Sequence, residues 1–132
     1  MDEYTSELAV KHWLEKSAED LATAKTLLEA GHFTWCAFIC QQALEKCLKA
    51  GYVKREGKIP PFIHKLERLC SILKLYPPDD ILNSIIEIDK YYIATRYPAY
   101  KEAVNISSEK EAYKIYRKTE EAYQWLKQAL KL

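Results

Sequence analysis

The sequence is poor in residues that interrupt regular structure, since only three of its 132 residues are glycine and five are proline. It has no apolar run long enough to span a membrane. Its N-terminal stretch, MDEYTSEL, is acidic and polar, which does not fit a secretory signal. A chain of this length can bury a core without disulfides. We therefore expect one domain over residues 1–132 in a cytoplasmic protein, with no membrane contact.

The chain also lacks a large excess of charge of either sign, because its formal net charge is +1. This excludes the strongly basic composition of a dedicated nucleic-acid binder. The balance is nevertheless uneven: residues 1–30 sum to −4, whereas residues 45–68 sum to +4. The basic stretch fits either a site for phosphate or an acidic partner, or a solvated mixed surface.

Three of the four cysteines lie on one stretch, Thr34 to Arg55. At the helical angle of about 100° per residue, Cys36, Cys40 and Cys47 share a quarter of the helical wheel with His32. A zinc site is one interpretation, but no second paired ligand motif exists to complete its coordination. Free cysteine is also among the most buried residue types. We therefore predict buried, reduced thiols that fill the core, and no metal or other cofactor.

Apolar residues recur at spacings of three and four along most of the chain, which predicts helices throughout and no strand. The first helix should end at Gly31, and the second should cover Thr34 to Arg55. The later helices should begin at Pro60-Pro61, at Pro77-Pro78 and after Ser108, which forms a capping box with Glu111. The predicted fold is an all-α, up-and-down bundle of four long helices and a shorter one.

The second helix also carries a polar sector that contains two large aromatic side chains. Its members are Trp35, Phe38, Gln42, Glu45, Lys46 and Lys49. Large aromatic residues among charged ones indicate a contact surface and not a fully solvated face. Three binding partners remain possible: another subunit, another helix of the bundle, or a ligand.

Four motifs, in this order and spacing, give the chain a family resemblance. They are Ala18-x-Asp20-Leu21, Gln42-Ala43-x-Glu45-Lys46-x-x-Lys49-Ala50, His64-x-Leu66, and Tyr92-Ile93 with Arg96-Tyr97-Pro98. Together they resemble the HEPN domain family over residues 10 to 130. The resemblance implies a helical bundle that often dimerises, frequently beside a minimal nucleotidyltransferase in toxin–antitoxin-like or stress-defence pairs.

Many HEPN proteins are metal-independent ribonucleases that use an Arg followed four to six residues later by a His. This sequence departs from that motif, because Tyr100 stands four residues after Arg96 and no histidine follows His64. Tyrosine is a poor general base near neutral pH, since its reference pKa is about 10. The departure predicts no catalytic residues and favours a binding or partner role.

The resemblance and the residue types together predict a site for a nucleotide or for RNA phosphate. Its expected residues are Arg96, Tyr97 and Tyr100, with His64, Lys46 and Lys49 as candidates for its wall. Arginine binds phosphate through fixed paired donors, and tyrosine rings can stack on bases. The alternative is that Arg96 pairs with Asp20 or Glu45 to join two helices.

Three functions remain open from the sequence. The favoured one is a nuclease-inactive HEPN module that binds nucleotide or RNA phosphate and acts with a minimal nucleotidyltransferase subunit. The others are a ribonuclease with an altered site using Arg96 and His64, and a purely structural dimerisation module. A homodimer is expected, because the chain has more large aromatic residues than a small core obviously needs. These are Trp35, Phe38, Tyr91, Tyr97, Tyr100 and Trp125.

Overall fold

The computed structural model describes residues 2–96 and 105–132, with the backbone alone for residues 93–96. These described residues form five helices and no strand. The helices are α1 (Glu3–Glu29), α2 (Phe33–Glu56), α3 (Leu66–Ile72), α4 (Asp79–Arg96) and α5 (Glu109–Leu130). The predicted all-α bundle of four long helices and a short one is confirmed. No helix among the described residues combines the length and the apolar character needed to cross a bilayer.

Helix α2 is the centre of the bundle, and each of the other four helices packs against it. Its sequence explains this position, because apolar and small residues occupy most of its circumference. Gly51 leaves room for the Leu130 side chain of α5, since a Cβ atom there would stand 2.5 Å from Leu130 Cδ1. The predicted burial of Cys36, Cys40 and Cys47 is confirmed, as none of the three is exposed.

All four thiols are buried, and burial favours the protonated form of two of them. Burial raises the pKa of Cys47 and of Cys70 to about 12. The hydrogen bond between Cys36 and Cys40 lowers the pKa of Cys36 and raises that of Cys40. Across the described part of the chain, no group of three or more His, Cys, Asp or Glu side chains is arranged to hold a metal ion.

The helix ends that local sequence predicts are largely found in the structure. Gly31 follows α1 with a φ of 83°, the left-handed conformation that glycine adopts without strain. Helix α2 exceeds its predicted range by one residue at each end. The Ser108 hydroxyl accepts a hydrogen bond from Glu111 N at 3.2 Å, which confirms the predicted cap of α5.

The predicted start of the third helix is wrong. Residues 60–65 are not helical, and α3 begins only at Leu66. Each proline disfavours helical geometry in the residue before it, and the first N–H of α3, that of Leu66, donates to Asp89 of α4. The resulting irregular segment carries His64 between α2 and α4.

Candidate functional site

Two neighbouring glutamines of α2 hold the backbone of the segment that precedes α3. Gln41 donates a hydrogen bond from Nε2 to the carbonyl oxygen of His64 at 2.8 Å. Gln42 in turn donates from its Nε2 to Gln41 Oε1 at 2.7 Å. Gln41 is fully buried, so its amide needs these partners. The pair of glutamines thus fixes where His64 lies.

A buried ion pair lies one turn further along α2. Lys49 Nζ stands 3.0 Å from Glu45 Oε2, and the two side chains are only 7% and 6% exposed. The ammonium also lies 5.7 Å from the ring centroid of Trp13 on α1, within the range of a cation–π interaction. The ammonium of Lys49 therefore has two partners, the Glu45 carboxyl group and the Trp13 ring.

The ring of His64 is held between this carboxylate and an aromatic ring of α4. Its Nδ1 lies 3.2 Å from both oxygens of Glu45. Its face stacks on Tyr92, with ring centroids 4.7 Å apart and an interplanar angle of 18°. The side chain of His64 remains 43% exposed, so the ring is fixed in place and still open to solvent.

The aromatic contact continues along α2. Phe38 is stacked near Tyr92 at a centroid distance of 6.3 Å, and Trp35 meets Phe38 edge to face at 5.9 Å. Trp35 is 54% exposed. The polar and aromatic sector of α2 is therefore partly a contact with another helix of the bundle, and it ends in an exposed indole.

Asp89 of α4 ties the beginning of α3 to the same site. Its two oxygens accept hydrogen bonds from Leu66 N at 2.9 and 3.1 Å, and one of them lies 3.4 Å from Gln41 Nε2. Burial raises the pKa of Asp89 above its ordinary value, although these donors act in the opposite direction. The carboxylate thus serves as a cap for α3 supplied by another helix.

An open groove of about 540 Å³ lies beside the stacked rings. Its walls combine one imidazole, one phenol ring, two lysines, two acids and one aliphatic side chain. These are His64, Tyr92, Lys65, Lys90, Glu67, Asp89 and Ile86. Such a surface offers ring faces for stacking and cations for a phosphate, without the arrangement of ligands that a metal requires.

The six sequence-predicted site residues fall into three groups. His64 lines the groove. Lys46 and Lys49 lie on α2 with their ammonium groups already engaged, Lys46 by Asp20 at 2.6 Å and Lys49 by Glu45. Arg96 is the last residue of α4, its side chain is outside the described part, and Tyr97 and Tyr100 lie outside the described residues.

The structure adds residues that the sequence did not assign to the site. Gln41 binds the backbone carbonyl of His64, and the ring of Tyr92 stacks on the His64 imidazole. Asp89 binds the backbone N–H of Leu66, two residues after His64. The sequence could have indicated Gln41 and Asp89, because a polar residue within an apolar helical stripe is expected to be buried and to need a hydrogen-bond partner. The partner's identity depends on contacts across 23 or more residues, which spacing along one helix cannot reveal.

Comparisons with known proteins agree with this architecture. Two solved structures are similar over nearly the whole chain. TT1696 from Thermus thermophilus is 26% identical with a TM-score of 0.76, covering 90% of this chain and 96% of its own. ST0689, described as an archaeal HEPN homologue, is 27% identical with a TM-score of 0.73, covering 92% and 97%. No match was found among curated proteins. The family model described as HEPN domain matches residues 10–129, and the chain therefore belongs to the HEPN family.

Proposed function

We propose that this protein is a nuclease-inactive HEPN module that binds a nucleotide or the phosphate and base of RNA. It does so in the groove beside His64 and acts with a separate minimal nucleotidyltransferase subunit in a toxin–antitoxin-like or stress-defence pair. The single observation that carries the binding proposal is the His64–Tyr92 stack at 4.7 Å, which forms one wall of an open groove.

The groove's chemistry supports a ligand that is both aromatic and anionic. A base stacks on an exposed, immobilised ring with little loss of side-chain entropy, because Glu45 and Tyr92 already hold His64. Lys65 and Lys90 line the same groove and supply positive charge for a phosphate. Arg96, the last residue of α4, is included in the proposed site on the basis of the sequence, because its side chain is always charged and can donate hydrogen bonds to a phosphate.

Lys46 and Lys49 have a different place in this proposal from the one that sequence alone suggested. Both ammonium groups are bound to carboxylates, and Lys49 is nearly inaccessible. We assign them to the support of the site, where Lys49 holds Glu45 and Lys46 joins α2 to α1 through Asp20. In this proposal, Lys65, Lys90 and Arg96 contact the phosphate directly.

The proposal that the module lacks ribonuclease activity by the family mechanism rests on the sequence after Arg96. The last of the three histidines is His64, so no imidazole follows Arg96 at the spacing of the family motif. His64 reaches the groove from the segment before α3. RNA cleavage that Arg96→Ala abolishes would favour the altered-site ribonuclease instead.

The proposed partners are a second copy of this chain and a nucleotidyltransferase subunit. The exposed indole of Trp35 next to Phe38 supports self-association, since aromatic residues are enriched in interface cores. Light scattering at high micromolar concentration tests the homodimer, and a monomer there would contradict it. Co-purification from the native host, followed by identification of bound proteins and small molecules, tests the partnership.

The binding proposal is tested by equilibrium binding of a labelled nucleotide panel and of short RNA. His64→Ala and Arg96→Ala should each weaken binding by about tenfold or more. His32→Ala and Arg117→Ala are matched controls, since both change an exposed residue that does not line the groove. If wild type binds none of the panel, or if both site variants stay folded and bind normally, the proposal fails and a structural module remains.

A further inference from the structure

The geometry around Glu45 points to a specific state of the His64 ring. We propose that Glu45 is a positioning residue that keeps the proton of neutral His64 on Nδ1. His64 then presents Nε2 to the groove as a hydrogen-bond acceptor. A group that meets it there must donate, as a hydroxyl or an amine does.

The contact with Lys49 determines which form of Glu45 fits this position. The Lys49 ammonium has only donors, and it lies 3.0 Å from Glu45 Oε2. Both oxygens of an ionised carboxylate accept hydrogen bonds, which suits a neighbour that can only donate. A protonated carboxyl group would carry an O–H donor on one oxygen and would have one acceptor fewer. The buried position of both side chains makes an unpaired ammonium costly and favours the ion pair.

Nδ1 is the imidazole nitrogen of His64 that faces this carboxylate. Nδ1 of His64 lies 3.2 Å from both Glu45 oxygens, so Nδ1 must be the donor of that contact. In a neutral imidazole only one nitrogen carries a proton. The other nitrogen, Nε2, is then an acceptor, on a side chain that is 43% exposed. A carboxylate that fixes the tautomer of a histidine in this way is a well-understood device.

A half-turn of the ring about its Cβ–Cγ bond would place Cδ2 beside Glu45 in place of Nδ1 and would lose the contact with the carboxylate. Gln41 holds the backbone carbonyl of His64 at 2.8 Å, and Tyr92 covers one ring face at 4.7 Å. The neighbouring peptide is also fixed, because Asp89 accepts from Leu66 N. Nδ1 therefore stays beside Glu45, and Nε2 is the nitrogen that we assign to the groove lined by His64.

Replacement of Glu45 by glutamine gives a sharp test. Lys49 can only donate, so the new amide should turn its oxygen to Lys49 and its NH₂ group to His64. The NH₂ group would then replace Oε1, 3.2 Å from Nδ1, and would oppose a proton there, whereas in wild type both neighbouring oxygens accept. Glu45→Gln should therefore shift the proton toward Nε2 while it changes almost no volume.

The measurement is ¹⁵N NMR of the imidazole nitrogens in the full chain at alkaline pH, with the His64 signals assigned by their loss in His64→Ala. Wild type should show a protonated Nδ1 and an unprotonated Nε2, and Glu45→Gln should show the reverse. Asp20→Asn is the control, because it breaks the neighbouring ion pair with Lys46 and should leave the tautomer unchanged. A proton on Nε2 in wild type, or no exchange in folded Glu45→Gln, would overturn the inference. If Glu45→Gln does not fold, the wild-type spectrum decides alone.

A second readout depends on the proposed function and is kept separate from the first. For the mononucleotide or short RNA that binds wild type, Glu45→Gln should weaken binding by about tenfold, because two donors would then oppose each other. Unchanged affinity together with an inverted tautomer would remove the ligand part of the inference. Absence of any binding by wild type would count against the proposed function, while the tautomer result would stand.

Discussion

Asp89 of α4 caps α3 from outside that helix, by accepting two hydrogen bonds from the backbone N–H of Leu66 at 2.9 and 3.1 Å. The residue at the normal capping position, Lys65, makes no side-chain cap hydrogen bond. Because Leu66 stands two residues after His64, this contact also holds the site segment against α4. Fold stability and site geometry therefore share one carboxylate.

Removal of the Asp89 carboxylate should destabilise the folded protein. Asp89→Ala is expected to lower the free energy of unfolding by about 1–2 kcal/mol, because Leu66 N loses its acceptor. Urea denaturation measures the effect. Asp79→Ala is the matched control, since Asp79 is exposed in the first turn of the same helix and should cost less than about 1 kcal/mol. Equal losses in the two variants would contradict the capping role.

The raised pKa of Asp89 predicts a particular pH dependence. The pKa in the folded state lies above the ordinary 3.8, chiefly because burial disfavours the charged form. The folded protein therefore binds this proton more readily, and the contribution of Asp89 to stability falls as pH rises from 3.8 through the folded pKa. Asp89→Asn keeps one acceptor without the charge. Its stability relative to wild type should therefore improve across that window in urea titrations, and an opposite slope would contradict the prediction.

The buried pair on α2 should matter more than an exposed one. Lys49→Met should lower the free energy of unfolding by about 3 kcal/mol, because it leaves Glu45 buried with His64 as its remaining partner. Arg117→Met removes the exposed pair with Glu120, whose side chains are 53% and 36% exposed, and should cost less than about 1 kcal/mol. Chemical denaturation of both variants makes the comparison. A similar cost for both would show that the Glu45–Lys49 pair contributes little to stability.

The thiols should be unreactive in the folded protein. Cys47 and Cys70 have a pKa of about 12, so roughly one thiol in 10⁵ is ionised at neutral pH. An aromatic disulfide reagent should modify them only as fast as the protein unfolds, whereas all four cysteines should react at once in denaturant. Rapid modification of Cys47 or Cys70 in native protein, located by mass spectrometry, would show that the core opens without global unfolding.

Much of the fold is encoded locally, and the sequence predicted that part correctly. The apolar spacing placed α2 within one residue of its observed ends, and Gly31 and Ser108 mark helix boundaries because their effect depends only on adjacent residues. The burial of Cys36, Cys40 and Cys47 follows similarly, because within α2 these three small apolar residues share one helical sector, which should face the core.

The site depended on tertiary structure. Spacing could place Glu45 and Lys49 one turn apart, but it could not show that His64, 19 residues from Glu45, returns to the same carboxylate. The start of α3 predicted from Pro60-Pro61 was also too early, because the N–H that begins this helix, that of Leu66, donates to Asp89 of another helix. Helical periodicity specifies which face of a helix is apolar, since that depends on neighbours three and four residues away. Which polar groups meet across helices is decided only by packing, because each buried donor must find an acceptor wherever the folded chain brings one.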